Sequence, residues 1–192
     1  LDKYLKKHGP LPWEDAKKLV AQVGSALSYA HEEGFLHRDI KPTNIMVSEK
    51  GNFVLTDFGL TRAMLQTGML TTTGAVLGTP PYIPPEVWNG ATATEKSDQY
   101  SLACVIDEAI TGRILFSGDT PQEIITKHLV GKPVLADYPT EIPEEVRYIL
   151  QKALSKESED RFKTVREFIT TLQNPKIFDV HAYLKQSYKK TQ

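Results

Sequence analysis

The 192-residue sequence has little of three features that would place it in a specialised class. Its single cysteine, Cys104, excludes an intramolecular disulfide framework and is typical of a reducing compartment. No run approaches the roughly eighteen apolar residues of a membrane span, and residues 1–30 lack a signal-peptide layout. Lysine and arginine number 23 against 24 aspartate and glutamate, so no cationic excess is available for a nucleic-acid backbone. We therefore expect a cytoplasmic chain that contacts neither nucleic acid nor membrane, although a longer parent could be membrane-anchored through another segment.

The apolar pattern that is present predicts a mainly helical domain. Apolar residues recur at three- and four-residue steps from residue 12 to a stop at Gly34, which predicts one long amphipathic helix. Residues 97–111 are apolar around nearly the whole circumference, which predicts a helix buried in the centre of the domain. Further helices are predicted at residues 121–130, 143–154 and 164–172.

Two short β-rich runs interrupt the helical pattern. Residues 45–47 and 53–55 flank a turn that contains Gly51 and Asn52, which predicts a β-hairpin. This hairpin would hold Asn44 and Asp57 on neighbouring loops. Residues 60–90 have no period and are rich in Gly, Thr and Pro, and irregular segments of this length in compact domains are usually functional or disordered.

Two motifs flank the predicted hairpin, HRDIKPTN at residues 37–44 and DFG at residues 57–59. Their order and spacing resemble the catalytic loop and metal-binding loop of eukaryotic-type serine/threonine protein kinases, particularly the bacterial receptor-like ones. The resemblance covers residues 1–173 and implies the C-terminal lobe of such a kinase. It implies a mainly α fold, a helical bundle around a buried central helix, with a small β-hairpin at the catalytic loop. Residues 174–192 would form a C-terminal extension or tail.

The resemblance implies transfer of the ATP γ-phosphate to a protein hydroxyl with Mg²⁺. Asp39 matches the carboxylate that accepts and orients the substrate hydroxyl. Lys41 matches a lysine that faces the transferring phosphoryl group and marks serine/threonine specificity. Asn44 and Asp57 match the two Mg²⁺ ligands, and their oxygen atoms suit that cation. Each residue alone could be an ordinary turn former or cap, but their joint occurrence in the correct order favours the catalytic interpretation.

A second block of matches follows the irregular segment. Residues 78–86 resemble a peptide-docking loop, with Thr79 matching the threonine that contacts the catalytic aspartate and lysine. By resemblance, Glu86 pairs with Arg161 and Asp98 accepts hydrogen bonds from the catalytic-loop backbone. Asp98 also has a plain structural interpretation as the N-cap of the central helix. The alternative for Glu86 and Arg161 is that they are ordinary surface charges.

The threonines in the irregular segment suggest regulation by phosphate. Thr71 and Thr73 resemble the activation-segment threonines that take up phosphate in bacterial receptor-type kinases. Arg38, directly before the catalytic aspartate, would pair with such a phosphate. The alternative interpretation is that these are solvated loop threonines, which are common.

Half of the usual kinase site is absent from the sequence. It contains neither a Gly-rich phosphate loop nor a strand lysine in a V-A-I-K-like context. The resemblance implies that a missing N-terminal lobe supplies both, so we expect the isolated chain to be inactive and its exposed cleft to favour self-association. Two alternatives are a pseudokinase-like binding fragment and a small-molecule kinase of the aminoglycoside type. Lys41 and the docking stretch favour an enzyme that acts on protein.

Overall fold

The computed structural model describes residues 1–58, 80–133 and 138–190. Within these ranges the helices are α1 (Asp2–His8), α2 (Trp13–Glu32), α3 (Pro85–Trp88), α4 (Glu95–Thr111), α5 (Pro121–Val130), α6 (Glu144–Ala153), α7 (Val165–Gln173) and α8 (Val180–Lys190). Short 3-10 turns lie at Pro42–Asn44, Pro80–Tyr82, Ser158–Asp160 and Pro175–Ile177. The predicted mainly helical architecture is confirmed.

The hairpin consists of β1 (Ile45–Val47) and β2 (Phe53–Leu55), which pair antiparallel. Ile45 faces Leu55 across the pair, and both side chains are buried in the core. Met46 faces Val54 on the opposite side, where the two side chains are 62% and 52% exposed. Because successive side chains of a strand point to opposite faces, the hairpin buries one face and presents an apolar patch on the other.

Helix α4 runs through the centre of the molecule, as its all-round apolar pattern predicts. Thirteen of its seventeen residues are buried, and Tyr100 and Ile106 are fully so. Its N-cap is Thr94, whose amide donates to Ser97 Oγ at 2.9 Å, so the N-cap role predicted for Asp98 is wrong. The helix ends at Gly112, whose φ of 70° is a left-handed conformation that glycine adopts without strain.

Helices α2 and α7 pack together along one side of α4. They approach closely at Gly24, where a Cβ atom would lie 2.4 Å from Ile169 Cγ2. Helix α2 ends at Glu32, two residues before the predicted stop at Gly34, which has the left-handed φ of 78° expected there. Helix α8 packs against α6, and the Phe178 ring lies 6.3 Å from the Phe162 ring. Among the described residues, no helix combines the length and apolarity needed to cross a membrane.

Two adjacent carboxylates near the end of α4 each accept a phenol hydrogen bond. The Tyr138 hydroxyl donates to Asp107 Oδ1 at 2.5 Å, and the Tyr82 hydroxyl donates to Glu108 Oε2 at 2.6 Å. Asp107 is only 3% exposed, and burial raises its pKa from 3.8 to about 6, against the lowering effects of the Tyr138 bond and the Arg113 charge. The ionised form of Asp107 therefore destabilises the folded state.

We expect Asp107→Asn to remove a pH dependence of stability. The folded chain binds the Asp107 proton more tightly than the unfolded chain, so this stabilisation is complete below about pH 4 and is lost as pH rises through about 6. A shift of about two pKa units corresponds to about 3 kcal/mol of unfolding free energy by pH 7.5. Urea unfolding between pH 4 and 7.5 measures this change in unfolding free energy. Asp119→Asn is the control, because Asp119 is exposed. A wild-type-minus-Asn difference that stays constant across this range would contradict the expectation.

Candidate active site

The catalytic loop folds back on itself through the 3-10 turn at Pro42–Asn44. This turn brings the Asn44 amide over Asp39, where Nδ2 donates to the Asp39 carbonyl oxygen at 2.8 Å and to Oδ2 at 3.0 Å. Lys41 Nζ lies 2.7 Å from the same Oδ2 atom. Asn44 is 8% exposed, whereas the Lys41 and Asp39 side chains are 20% and 29% exposed. Three side chains predicted to act together are therefore in direct contact.

Asp57 is connected to this group through Thr56. The Thr56 amide and hydroxyl both donate to the Asn44 carbonyl oxygen, at 2.9 and 3.1 Å, and the hydroxyl is also 3.2 Å from Asp57 Oδ2. The hairpin thus brings the Asn44 and Asp57 loops side by side, as its position in the sequence predicts. Asp57 is exposed and has φ 65°. Among the described residues, Asp57 and Arg38 are the only non-glycine residues with positive φ, and such strain concentrates at functional sites.

The buried side chain of His37 connects the catalytic loop to the Asp57 loop. Its Nε2 atom lies 2.8 Å from the Thr56 carbonyl oxygen, and its ring lies 4.7 Å from the Phe58 ring. His37 is fully buried, so its side chain packs the two loops together and is not exposed to a substrate.

Asp98 of α4 supports the catalytic loop from the interior. Its Oδ2 accepts from the His37 amide and its Oδ1 accepts from the Arg38 amide, both at 2.8 Å. The carboxylate is 2% exposed. The structure therefore places Asp98 where the resemblance predicts, against the backbone that leads into Asp39.

Glu86 and Arg161 form a bidentate pair, with Nη1 to Oε1 and Nη2 to Oε2 both 2.7 Å. The Arg161 side chain is fully buried and the Glu86 side chain is 17% exposed. Burial raises the pKa of Glu86, but the hydrogen bonds and charge of Arg161 outweigh it, so the net shift is downward. The pair attaches α3 to the segment before α7, and the interpretation as surface charges is wrong.

Three of the predicted residues lie outside the described part of the chain. They are Thr71, Thr73 and Thr79. Arg38, which the sequence predicts to pair with a phosphate, lies within the described residues. It is half-buried, and its backbone amide donates to Asp98 Oδ1.

Residues 1–173 match the family model described as the protein kinase domain. The chain belongs to the protein kinase family. It is 38% identical over 168 residues to the serine/threonine-protein kinase PrkC of Bacillus subtilis, a match that covers 87% of this chain and 26% of the relative. It is 38% identical over 160 residues to PknB of Mycobacterium leprae, covering 83% of this chain and 26% of that protein. A probable kinase PknB of Lactococcus lactis is 34% identical over 171 residues, covering 88% and 27%.

The chain therefore spans about a quarter of the length of the curated relatives it matches. Its predicted assignment as a bacterial-type serine/threonine kinase lobe is confirmed by the family match and by the names of these relatives. The mainly helical fold with a single small hairpin in the described residues agrees with a C-terminal kinase lobe.

The structure also contains contacts that the sequence interpretation missed. His31 Nε2 lies 2.8 Å from Asp98 Oδ2, and the Tyr82 carbonyl accepts from Ser101 Oγ at 2.7 Å. Glu108 holds the Tyr82 hydroxyl, and burial raises the pKa of Glu108. The sequence did contain one indication of these contacts. Asp98 and Glu108 lie on a helix that is otherwise almost entirely apolar, and a carboxylate in such a place needs a polar partner.

Proposed function

We propose that the chain is the C-terminal lobe of a serine/threonine kinase that transfers the ATP γ-phosphate to protein hydroxyls. The observation that carries the proposal is the contact of Lys41 and Asn44 with one oxygen of Asp39, with Asp57 adjacent through Thr56. We assign residues 1–173 to the lobe and residues 174–192 to a C-terminal extension. The activity belongs in the cytoplasm, where ATP is available and the buried Cys104 thiol stays reduced.

The residues present fit Mg²⁺. Asn44 uses its Nδ2 group to hold Asp39, so its amide oxygen is the atom left to bind a cation, and Asp57 offers an exposed carboxylate. Among the described residues no group of three or more His, Cys, Asp or Glu side chains could hold a metal. Two protein oxygens with phosphate oxygens and water are what Mg²⁺ commonly accepts. When bound, the ion would neutralise phosphate charge.

Asp39 and Lys41 have separate roles in the proposed reaction. The substrate hydroxyl oxygen bonds to the γ-phosphorus, the bond between that phosphorus and the β,γ-bridging oxygen breaks so that ADP leaves, and the hydroxyl proton passes to Asp39. Lys41 Nζ lies 2.7 Å from Asp39 Oδ2. We propose that its ammonium group also faces the transferring phosphoryl group, the role that its place in the motif implies. Thr79 would contact both side chains from the docking segment. The relatives, which are named serine/threonine-protein kinases, support protein as substrate over an aminoglycoside-type small molecule.

We expect the isolated 192-residue chain to show negligible turnover and weak ATP binding. It contains no Gly-rich loop or strand lysine, so nucleotide phosphates would remain exposed to water and their charge would be screened. Peptide phosphorylation with radiolabelled ATP tests this. Turnover by the isolated chain that Asp39→Asn abolishes would contradict it. Sedimentation of the same sample should show self-association through exposed Met46 and Val54, and a strict monomer would count against that part.

Activity measurements need a two-lobe protein, in which an N-terminal lobe with a Gly-rich loop and a strand lysine is joined ahead of Leu1. We expect this protein to phosphorylate itself at Thr71, Thr73 or both, with Arg38 pairing with the phosphate. Mass spectrometry of active protein measures the modification, with Asp39→Asn protein as the unphosphorylated control. Active protein that carries phosphate at neither threonine would exclude this regulatory role.

A further inference from the structure

His128 is a fully buried histidine on helix α5, which packs against the 3-10 turn at Pro80–Tyr82, here called the docking turn. The Tyr100 hydroxyl of the central helix α4 lies 3.0 Å from His128 Nδ1, and the Phe116 ring lies 4.6 Å from the imidazole ring. A buried polar side chain needs polar partners, because an unpaired polar group in the interior costs free energy. The Tyr100 contact supplies one of these partners and connects α5 to α4.

The imidazole of His128 is neutral at physiological pH. Burial is the largest effect on its pKa and, together with the charge of Lys156, lowers that pKa from 6.5 to about 3, while a backbone hydrogen bond to Pro81 acts in the opposite direction. Lys156 is held nearby, because its Nζ atom donates to the Lys127 carbonyl oxygen at 3.0 Å and lies 4.5 Å from the centre of the Phe116 ring. His128 therefore contributes hydrogen bonds and no charge.

A neutral imidazole has one N–H donor and one acceptor nitrogen. We assign the hydrogen to Nε2, because the Tyr100 hydroxyl can then donate to Nδ1 and the ring N–H is available to the Pro81 carbonyl oxygen. Nε2 forms no hydrogen bond of regular geometry within the described residues, so the contact with Pro81 is a long one. The second partner of the ring is therefore on the docking turn.

The docking turn begins with two prolines, which have no N–H group, so these residues can form backbone hydrogen bonds only through their carbonyl oxygens. The Pro80 carbonyl accepts an amide hydrogen bond within the segment at 3.3 Å, and the Tyr82 carbonyl accepts from Ser101 Oγ of α4 at 2.7 Å. The Pro81 carbonyl lies between them and has the His128 ring of α5 as its partner. Three successive carbonyl groups thus attach the turn to itself, to α5 and to α4.

We propose that His128 is a positioning residue for substrate docking, which holds the docking turn against α5 so that the two form one surface for the protein substrate. The inference rests on the proposed kinase function, since residues 78–86 resemble a peptide-docking loop. His128 is buried and does not touch the substrate, so it acts through the turn. Loss of its hydrogen-bonding nitrogens should weaken substrate binding and leave the proposed Mg²⁺ ligands, Asn44 and Asp57, unchanged.

The first test uses the 192-residue chain and needs no activity. His128→Met is similar in volume but has no N–H donor, whereas the control Tyr100→Phe removes only the bond to α4. Amide hydrogen exchange by NMR should show Ile83, whose amide donates to the Pro80 carbonyl, exchanging at least about tenfold faster in His128→Met than in wild type, relative to the amides of α2. Tyr100→Phe should stay within about threefold of wild type. Equal acceleration by both variants would contradict the proposal.

The second test measures peptide phosphorylation by the two-lobe protein. We expect His128→Met to raise KM for the peptide roughly fivefold or more, with kcat and KM for ATP within about twofold of wild type, because only substrate binding is weakened. A purely structural role would instead lower the folded fraction, and with it the apparent kcat, without a change in KM for the peptide. His128→Gln keeps an N–H donor and should lie closer to wild type than His128→Met, and Tyr100→Phe should match wild type.

The two tests separate this inference from the function on which it rests. An unchanged KM for the peptide in His128→Met, or an equal rise in Tyr100→Phe or His128→Gln, would show that His128 does not position the docking turn for substrate. If the wild-type two-lobe protein phosphorylates no peptide, the proposed function fails, while the exchange of the Ile83 amide still decides whether His128 holds the turn.

Discussion

Arg161→Leu should destabilise the chain by roughly 3–5 kcal/mol, the range seen when one partner of a buried ion pair is removed. Arg161 donates five hydrogen bonds, two to Glu86 and three to the backbone carbonyls of Lys96, Ser155 and Lys156. Leucine fills part of the space but leaves Glu86 as an uncompensated, mostly buried charge, and it removes the hydrogen bonds that Arg161 donates to three backbone carbonyl groups. Urea unfolding at pH 7.5 measures the difference in unfolding free energy.

Arg166→Leu is the matched control for this experiment. It also removes an arginine–glutamate pair, with Glu32, but both side chains are more than half exposed, at 64% and 55%. We therefore expect a change below about 1 kcal/mol. Replacement of both Glu86 and Arg161 by leucine should cost less than the sum of the single changes, because neither charge is then left unpaired. If Arg161→Leu and Arg166→Leu lower the unfolding free energy equally, the buried pair stabilises the fold no more than the exposed pair does.

Asp39→Asn in the two-lobe protein should lower kcat by roughly 10²–10⁴-fold, the usual contribution of a positioned proton acceptor. Asparagine keeps the shape of the side chain and can still accept from Asn44 and Lys41 through its oxygen, but it cannot take the substrate proton. The proposed Mg²⁺ ligands Asn44 and Asp57 are unchanged, so KM for ATP should change little.

Asp119→Asn, at an exposed position, is the control for the same chemical change and should retain wild-type kcat. A kcat for Asp39→Asn within about threefold of wild type would show that Asp39 does not accept the proton. A large rise in KM for ATP without a fall in kcat would instead assign Asp39 to nucleotide binding.

The sequence predicts the helices and the hairpin well, because both depend on local periodicity. The all-round apolar pattern of residues 97–111 correctly identifies the central helix, and the Gly51–Asn52 turn identifies the hairpin. The N-cap predicted for α4, Asp98, lies several residues after the observed N-cap, Thr94. Thr94, Ser97 and Asp98 are all compatible with an N-cap, and the competition is decided by tertiary contacts, since Asp98 is bonded to the catalytic loop.

The motif residues of the site could be named from sequence because their spacing is short and fixed by the hairpin. The partners that hold them could not. His31 and Asp98 are 67 positions apart, and Tyr82 and Glu108 are 26 apart. No local sequence pattern indicates which buried polar side chains will contact each other, because those contacts depend on how α2 and the docking segment pack against α4. The raised pKa of Asp107 is hidden for the same reason, since it follows from burial beside Tyr138.

The most direct measurement is phosphate transfer from radiolabelled ATP to a peptide by the two-lobe protein after Asp39→Asn, Asn44→Leu and Asp57→Asn are combined. If these three side chains form one site that binds Mg²⁺ and directs a hydroxyl to the γ-phosphate, transfer should fall to background while the protein remains folded by circular dichroism. A folded triple variant that transfers phosphate at the wild-type rate would contradict the account.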